Sequence, residues 1–227
     1  MKIARSGKEL LEICAAEQIS LSEYAIRQEM ELKNVSREDL FAQMKITLDA
    51  MKESATAGRE KKVYSLSGLI GGDAYRLQQY CNTGNSLMGN GIVMAMAMAM
   101  AISSSEVNGA MASGAVVELM GGTPKMSLDA AAIIFKNVLG LVCDPVAGLV
   151  EIPCAKRNVS GAINALCTAD MVMAGVNSKI PFDDAVAAMY KVGTGLPEEL
   201  RETALGGCAI TPTGKALQEK VFGKKEN

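Results

Sequence analysis

The sequence predicts an all-α fold, a multi-helix globular domain with functional loops rich in Gly and Pro. Three observations predict it. Aromatic residues are only 4% and Trp is absent, so the core must be built from Ala, Leu, Ile, Val and the 15 Met, side chains that suit close-packed helices. Helix-start signals recur along the chain. No stretch alternates apolar and polar residues with the period of two that a half-buried strand needs.

The elements follow in order. Ser6 with Glu9, Ser20 with Glu23, and Ser36 with Asp39 read as capping boxes or near relatives, opening helices over 8–18, 21–32 and 37–57. In the third, Leu40, Met44, Leu48 and Met51 recur at three- and four-residue steps and make one apolar face. Residues 58–62 are a polar connector. A glycine-rich turn over 67–73 leads into a helix over 74–80, and 82–91 is a second Gly- and Asn-rich loop. Residues 92–102, IVMAMAMAMAI, read as a buried helix in which Met fills core space; eleven residues fall short of the ~18 a membrane span needs, so no membrane segment is expected. A Ser-rich turn at 103–105 and a short helix over 116–120 follow. Gly121 and Gly122 stop that helix, and Pro124 starts the next, over 127–139. Residues 141–158 form a Pro- and Gly-rich loop. Helices are expected over 161–174, 182–192 and 198–204, the last two opened by Pro181 and Pro197, and the tail at 224–227 is expected to be disordered.

The chain has 227 residues, room for one domain or two small ones. A formal net charge of −2 argues against a general nucleic-acid binder. The chain has no His, which excludes a Ser-His-Asp triad, a Cys-His pair and any His-ligated metal. Its chemistry must therefore use Cys, carboxylates, Lys, Tyr, backbone amides or a bound cofactor. The six Cys, at 14, 81, 143, 154, 167 and 208, form no C-x-x-C pair, so a zinc ribbon or thioredoxin-like reading fails. The opening residues lack the apolar stretch of a signal peptide. A reducing cytoplasmic setting is expected, with thiols rather than disulfides.

Three groups of residues could carry chemistry. Cys143 and Cys154 each lie beside a proline, eleven positions apart; stiff loops of this kind can hold thiolates for a soft metal or a cluster, although buried Cys also serves simply as core. Ser67, Gly68, Gly71, Gly72 and Asp73 form a turn whose backbone amides could converge on a substrate carboxylate, with the helix at Asp73 adding its positive end; the same residues also read as a tight turn with Asp73 as N-cap. Lys156 and Arg157 follow Cys154 directly and could keep a thiolate ionised or clamp a carboxylate; they also read as a solvated basic patch. The Thr-Gly-Lys ending of 207–215 lacks the glycine spacing of a phosphate-binding loop.

Taken together, these segments resemble the α chain, or α domain, of the bacterial iron–sulfur-dependent L-serine dehydratases. The resemblance rests on SGLIGGDA at 67–74, ELMGGTP at 118–124, KNVLGLVCDPVAGLVEIPCAKRN at 136–158, NALCTADMVMAG at 164–175, IPFDDAVAAMYKVG at 180–193 and LPEELRETALGGCAITPTGK at 196–215. It covers nearly the whole chain and implies one domain over 1–227, with N-terminal helices over 1–60 and a cluster- and substrate-binding part over 63–222.

The resemblance also implies an activity. L-serine would lose water by β-elimination, and the aminoacrylate would go on to pyruvate and ammonia. A 4Fe-4S cluster would act as the Lewis acid, with Cys143 and Cys154 as metal ligands and no pyridoxal phosphate. The backbone amides of Ser67, Gly68, Gly71, Gly72 and Asp73 would hold the substrate carboxylate, Lys156 is the candidate base, and a separate β chain would be the partner in an oligomer. A sister activity on the same scaffold, release of sulfide from L-cysteine, is the alternative substrate reading.

One departure stands out. Members of that family carry a further cluster cysteine in a G-C-x-A-E-C-G-like stretch, preceded by a P-T-A-G segment. Here residues 105–118 run on with neither. A segment long enough for two or three helices is missing, which predicts an under-ligated cluster, exposed apolar surface beside the join, and, as a second reading, an impaired subunit that acts only through partner binding.

Overall fold

The computed structural model describes residues 3–89 and 108–223. The described residues are all-α, with no named strand; only two isolated bridges, Tyr64 with Gly71 and Cys143 with Arg201, pair extended backbone. The helices are α1 (Gly7–Glu17), α2 (Leu21–Lys33), α3 (Arg37–Glu60), α4 (Asp73–Asn82), α5 (Asn108–Leu119), α6 (Pro124–Asn137), α7 (Cys154–Met173), α8 (Phe182–Gly195) and α9 (Pro212–Phe222). Short 3-10 turns stand at Val146–Gly148, Glu198–Leu200 and Gly207–Ile210. The helix expected over 92–102, the turn at 103–105 and the tail at 224–227 lie outside the described residues.

The caps read from the sequence form as expected. Ser6, Ser20 and Ser36 each accept the amide three residues on, at 3.1 Å, satisfying one of the orphan donors of a first turn. Thr123, before Pro124, accepts Met126 N at 3.3 Å. Further caps come from far along the chain. Asp183 on α8 accepts Gly7 N at 2.6 Å and Lys8 N at 3.1 Å, and Glu118 on α5 accepts Ser22 N at 3.1 Å. These carboxylates tie the N-terminal helices to the core and suit the positive ends they meet. Glu23 joins α2 to α3, and hydrogen bonds from Arg37 and then Arg27 lower its carboxyl to about 2.

The core lies where α5, α6 and α7 meet. Val117, Ala130, Ala169 and Val172 form one buried cluster there, and Ala110, Ala131 and Ile134 a second. Small residues let the helices approach closely. A Cβ on Gly109 would stand 3.2 Å from the carbonyl oxygen of Gly161, so α5 and α7 come nearly into backbone contact at that point.

Four expectations change. The helix read at 116–120 starts at Asn108. The loop read over 141–158 ends at Pro153, and Cys154 is the first residue of α7 rather than a loop residue. The helix read over 198–204 is a single 3-10 turn, because Glu202 and Ala204 adopt positive φ (66° and 57°), which no right-handed helix accommodates. Helix α9 had no counterpart in the sequence reading, although Thr211 and Pro212 repeat the cap-then-proline signal of Thr123 and Pro124.

Candidate active site

The glycine-rich turn folds into a small hairpin between α3 and α4. Gly72 N donates to Val63 O at 2.8 Å, Ser65 N to Ile70 O at 3.0 Å, and Gly68 N to Ser65 O at 3.0 Å. The ring of Tyr64 lies against Gly71, where a Cβ would stand 2.3 Å from the ring, so this position requires glycine. Leu69 N donates to Ser67 Oγ at 3.1 Å and Ile70 N to Ser65 Oγ at 3.4 Å. The amides of Gly68, Leu69, Ile70 and Gly72 are thus engaged inside the hairpin. Of the five residues the sequence reading named, Gly68 and Gly72 therefore already spend their amides within the hairpin.

The hairpin meets the cysteine-bearing segment on both sides of Cys154. Three residues before it, Glu151 accepts the hydroxyls of Ser65, at 3.0 Å, and Ser67, more closely still. Two residues after it, Lys156 Nζ donates to Asp73 Oδ2 at 2.6 Å. Asp73 also accepts from Arg76. Burial raises the Asp73 carboxyl, but the bonds from Lys156 and Arg76 outweigh it and hold the group below the usual carboxylate range. Lys156, named as a candidate base, stands here as an ion-pair donor; an ammonium offers three donors and no acceptor.

Between these contacts lies a cavity of about 680 Å³, bounded by the end of α3, the hairpin, the start of α4 and residues 149–155. Ser65, Gly72, Asp73, Glu151 and Ala155 line it, with Lys61 at the α3 end; neither Cys143 nor Cys154 is among the lining residues. Glu151 and Ser65 escaped the sequence reading. Single polar residues in loops give no local signal, and these two are 86 positions apart.

The two cysteine segments are brought together by Arg157, on the first turn of α7. Its Nη1 donates to Val142 O at 2.9 Å and to Asp144 Oδ1 at 2.8 Å, the residues on either side of Cys143. Asp144 is buried, only 1% exposed. Its other oxygen accepts Cys208 N at 2.5 Å. Burial raises the Asp144 carboxyl, and the bonds from Cys208 and Arg157 bring it down below its ordinary value. The hydrogen bond to Asp144 and then burial push the Cys208 thiol up. Cys143 itself is pinned by its backbone, donating to Leu200 O at 2.9 Å and accepting from Glu202 N at 2.7 Å. Cys167, expected on a buried helix, lies on α7 but is exposed.

The donor set can be tested against a 4Fe-4S cluster. Among the described residues no group of three or more His, Cys, Asp or Glu is placed to hold a metal ion. A cubane presents four irons, and the sequence offers Cys143 and Cys154 without the further cysteine that the resemblance calls for. Asn158, one turn after Cys154, buries its Nδ2 with no partner among the described residues. One hydrogen-bond donor does not replace a thiolate, so the residues present do not make a complete cluster site.

Comparison with known proteins agrees with the geometry. The family model for the serine dehydratase alpha chain matches the chain in two stretches, residues 16–111 and 105–209. The chain is 39% identical over 289 aligned positions to the probable L-serine dehydratase, alpha chain, of Bacillus subtilis, covering 96% of this chain and 95% of the relative. It is 32% identical over 283 positions to the L-serine dehydratase, alpha chain, of Peptoniphilus asaccharolyticus, covering 94% and 96%. A probable L-serine dehydratase, alpha chain, of Latilactobacillus sakei is 57% identical over 115 residues, 51% of this chain and 55% of the relative. Alignments of 289 and 283 positions exceed the 227 residues here, and the two family matches meet at 105–111, so the relatives carry an internal segment at the join that this chain lacks. With both near-full-length relatives and the family model in agreement, this chain belongs to the serine dehydratase alpha chain family.

Proposed function

We propose that this chain is the α chain of an L-serine dehydratase, and that the cavity between the Ser65 hairpin and Glu151 receives the amino acid. The reaction removes the α-proton and the β-hydroxyl of L-serine as water; the aminoacrylate tautomerises, takes up water and leaves as pyruvate and ammonia. A separate β chain is the partner. The observation that carries this reading is the meeting of two family-matching segments, 67–74 and 136–158, around one cavity.

The chain's own residues would divide the work. The hairpin walls the cavity at Gly72 and Asp73 and contributes hydroxyls rather than free amides. Lys156 and Asp73 close one end as an ion pair. Arg157 and Asp144 hold the Cys143 segment against the start of α7. The elimination needs an electrophile at the departing hydroxyl. The resemblance gives that task to a 4Fe-4S cluster, which Cys143 and Cys154 alone would not fully ligate.

A second reading, a shortened subunit that binds the β chain without turnover, is favoured by the absent segment and the incomplete donor set. Anaerobic purification of the chain with its β partner decides between them. Pyruvate formed from L-serine supports the dehydratase. Co-purification with neither iron nor pyruvate supports the remnant, and a higher kcat/KM for L-cysteine moves the substrate to the sulfur amino acid.

A further inference from the structure

We propose that Glu151 is a positioning residue of this site, a latch that couples the hairpin walling the cavity to the start of the cysteine-bearing helix; this rests on the reading of that cavity as the substrate site.

Glu151 works through both its backbone and its side chain. Its carbonyl accepts Ala155 N at 3.2 Å, fixing the first turn of α7 directly after Cys154. Its carboxylate accepts the hydroxyls of Ser65 and Ser67 on one oxygen, Oε2. A serine hydroxyl has one proton to give, and a charged acceptor is a stronger partner than a carbonyl. With their protons drawn to Glu151, both serines turn lone pairs toward the hairpin, where Ser67 Oγ accepts Leu69 N and Ser65 Oγ accepts Ile70 N. The tip of the hairpin is therefore held by a chain of contacts that begins at residue 151, in addition to its backbone bonds and a contact from Ser65 Oγ to Ile70 O at 3.1 Å.

No other carboxylate of the cavity wall does this. Of the two carboxylates on the cavity wall, Asp73 is committed to Lys156 and Arg76. Glu151 makes no ion pair among the described residues, and its carboxylate accepts from the two serines. A shift of α7 at Cys154 moves Glu151, and Glu151 moves the wall against which the substrate lies. What the latch needs first is an acceptor oxygen at the end of a side chain of this length; the negative charge strengthens its bonds, and a neutral amide oxygen keeps them in weaker form.

That requirement gives the test. Wild type, E151A, E151Q and S67A are each assayed with the β partner, and hydrogen exchange is followed at Leu69 and Ile70. E151A should raise KM for L-serine about tenfold, the effect of losing one to two hydrogen bonds in a closed site, with a smaller change in kcat. E151Q, whose amide oxygen still accepts both hydroxyls, should restore KM to within about threefold of wild type. The S67A and E151A effects should not add, because both cut the same contact. Exchange at Leu69 and Ile70 should speed up in E151A, while amides over 165–172 in α7 keep their protection. Unchanged exchange at the hairpin, or E151Q as impaired as E151A, overturns the latch. If wild type forms no pyruvate with its partner, the dehydratase reading fails and the positioning role with it; faster hairpin exchange would then report a loop anchor only.

Discussion

Lys156 Nζ stands 2.6 Å from Asp73 Oδ2, joining the first turn of α7 to the first residue of α4. The two residues are 83 positions apart, and each had a separate meaning in the sequence, one as a candidate base and the other as part of an anion-binding turn. As a strut, Lys156 needs its charge and its reach rather than a proton to exchange. K156R should therefore keep kcat for pyruvate formation within about threefold of wild type, since arginine also pairs with a carboxylate. A loss of a hundredfold or more in K156R, seen in a steady-state assay, would restore Lys156 as the base.

The Arg157–Asp144 pair should carry stability. Asp144 is buried, and removing Arg157 leaves a buried charge without its cationic partner. R157A should lower unfolding free energy by about 2–3 kcal/mol in urea melts.

The same pair should set an acid limit. Because the folded Asp144 carboxyl lies below its unfolded value of about 3.9, its contribution is complete above that pH and is lost as pH falls through the folded value. Stability measured from pH 7 to pH 3 should fall at the acid end, and D144N should lack that part of the fall.

Gly207 should be among the least replaceable residues outside the cavity. It has φ of +56°, and a Cβ there would stand 2.2 Å from Asp144 Oδ2. G207A would both strain the backbone and drive Asp144 from the Cys208 amide. It should cost at least as much as R157A in the same melts, about 2–4 kcal/mol.

Iron content should report the donor set. After anaerobic reconstitution the chain should hold fewer than four irons, and C143A/C154A should hold none. Four irons per chain in the wild type would place additional ligands outside the two cysteines. Full iron in the double variant would remove Cys143 and Cys154 as ligands altogether.

Much of this was legible from local signals. The starts of α2 and α3, and that of α1 to within a residue, follow from Ser6, Ser20 and Ser36, because a cap is a contact between residues three apart. What escaped was non-local. Cys154 read as a loop residue because Pro153 and the glycines before it look like loop, yet Pro153 is the N-cap of a 20-residue helix. The 198–204 stretch has helical composition but adopts left-handed backbone at Glu202 and Ala204, where residues 201–202 turn to pair with Cys143. Glu151 and Ser65 gave no signal, since they meet across 86 positions, and Asp144 gave none, since its partners Arg157 and Cys208 lie 13 and 64 positions on.

The carboxylate of Asp183 at the start of α1 has a consequence for biosynthesis. The side chain that receives the amides of Gly7 and Lys8 is made 176 and 175 residues after them. Until then the first turn of α1 has local caps, Ser6 on Glu9 N and Glu9 on Arg5 N. A nascent chain stalled before α8 would already have Glu118 to hold α2, but the start of α1 would lack the carboxylate that ties it to α8.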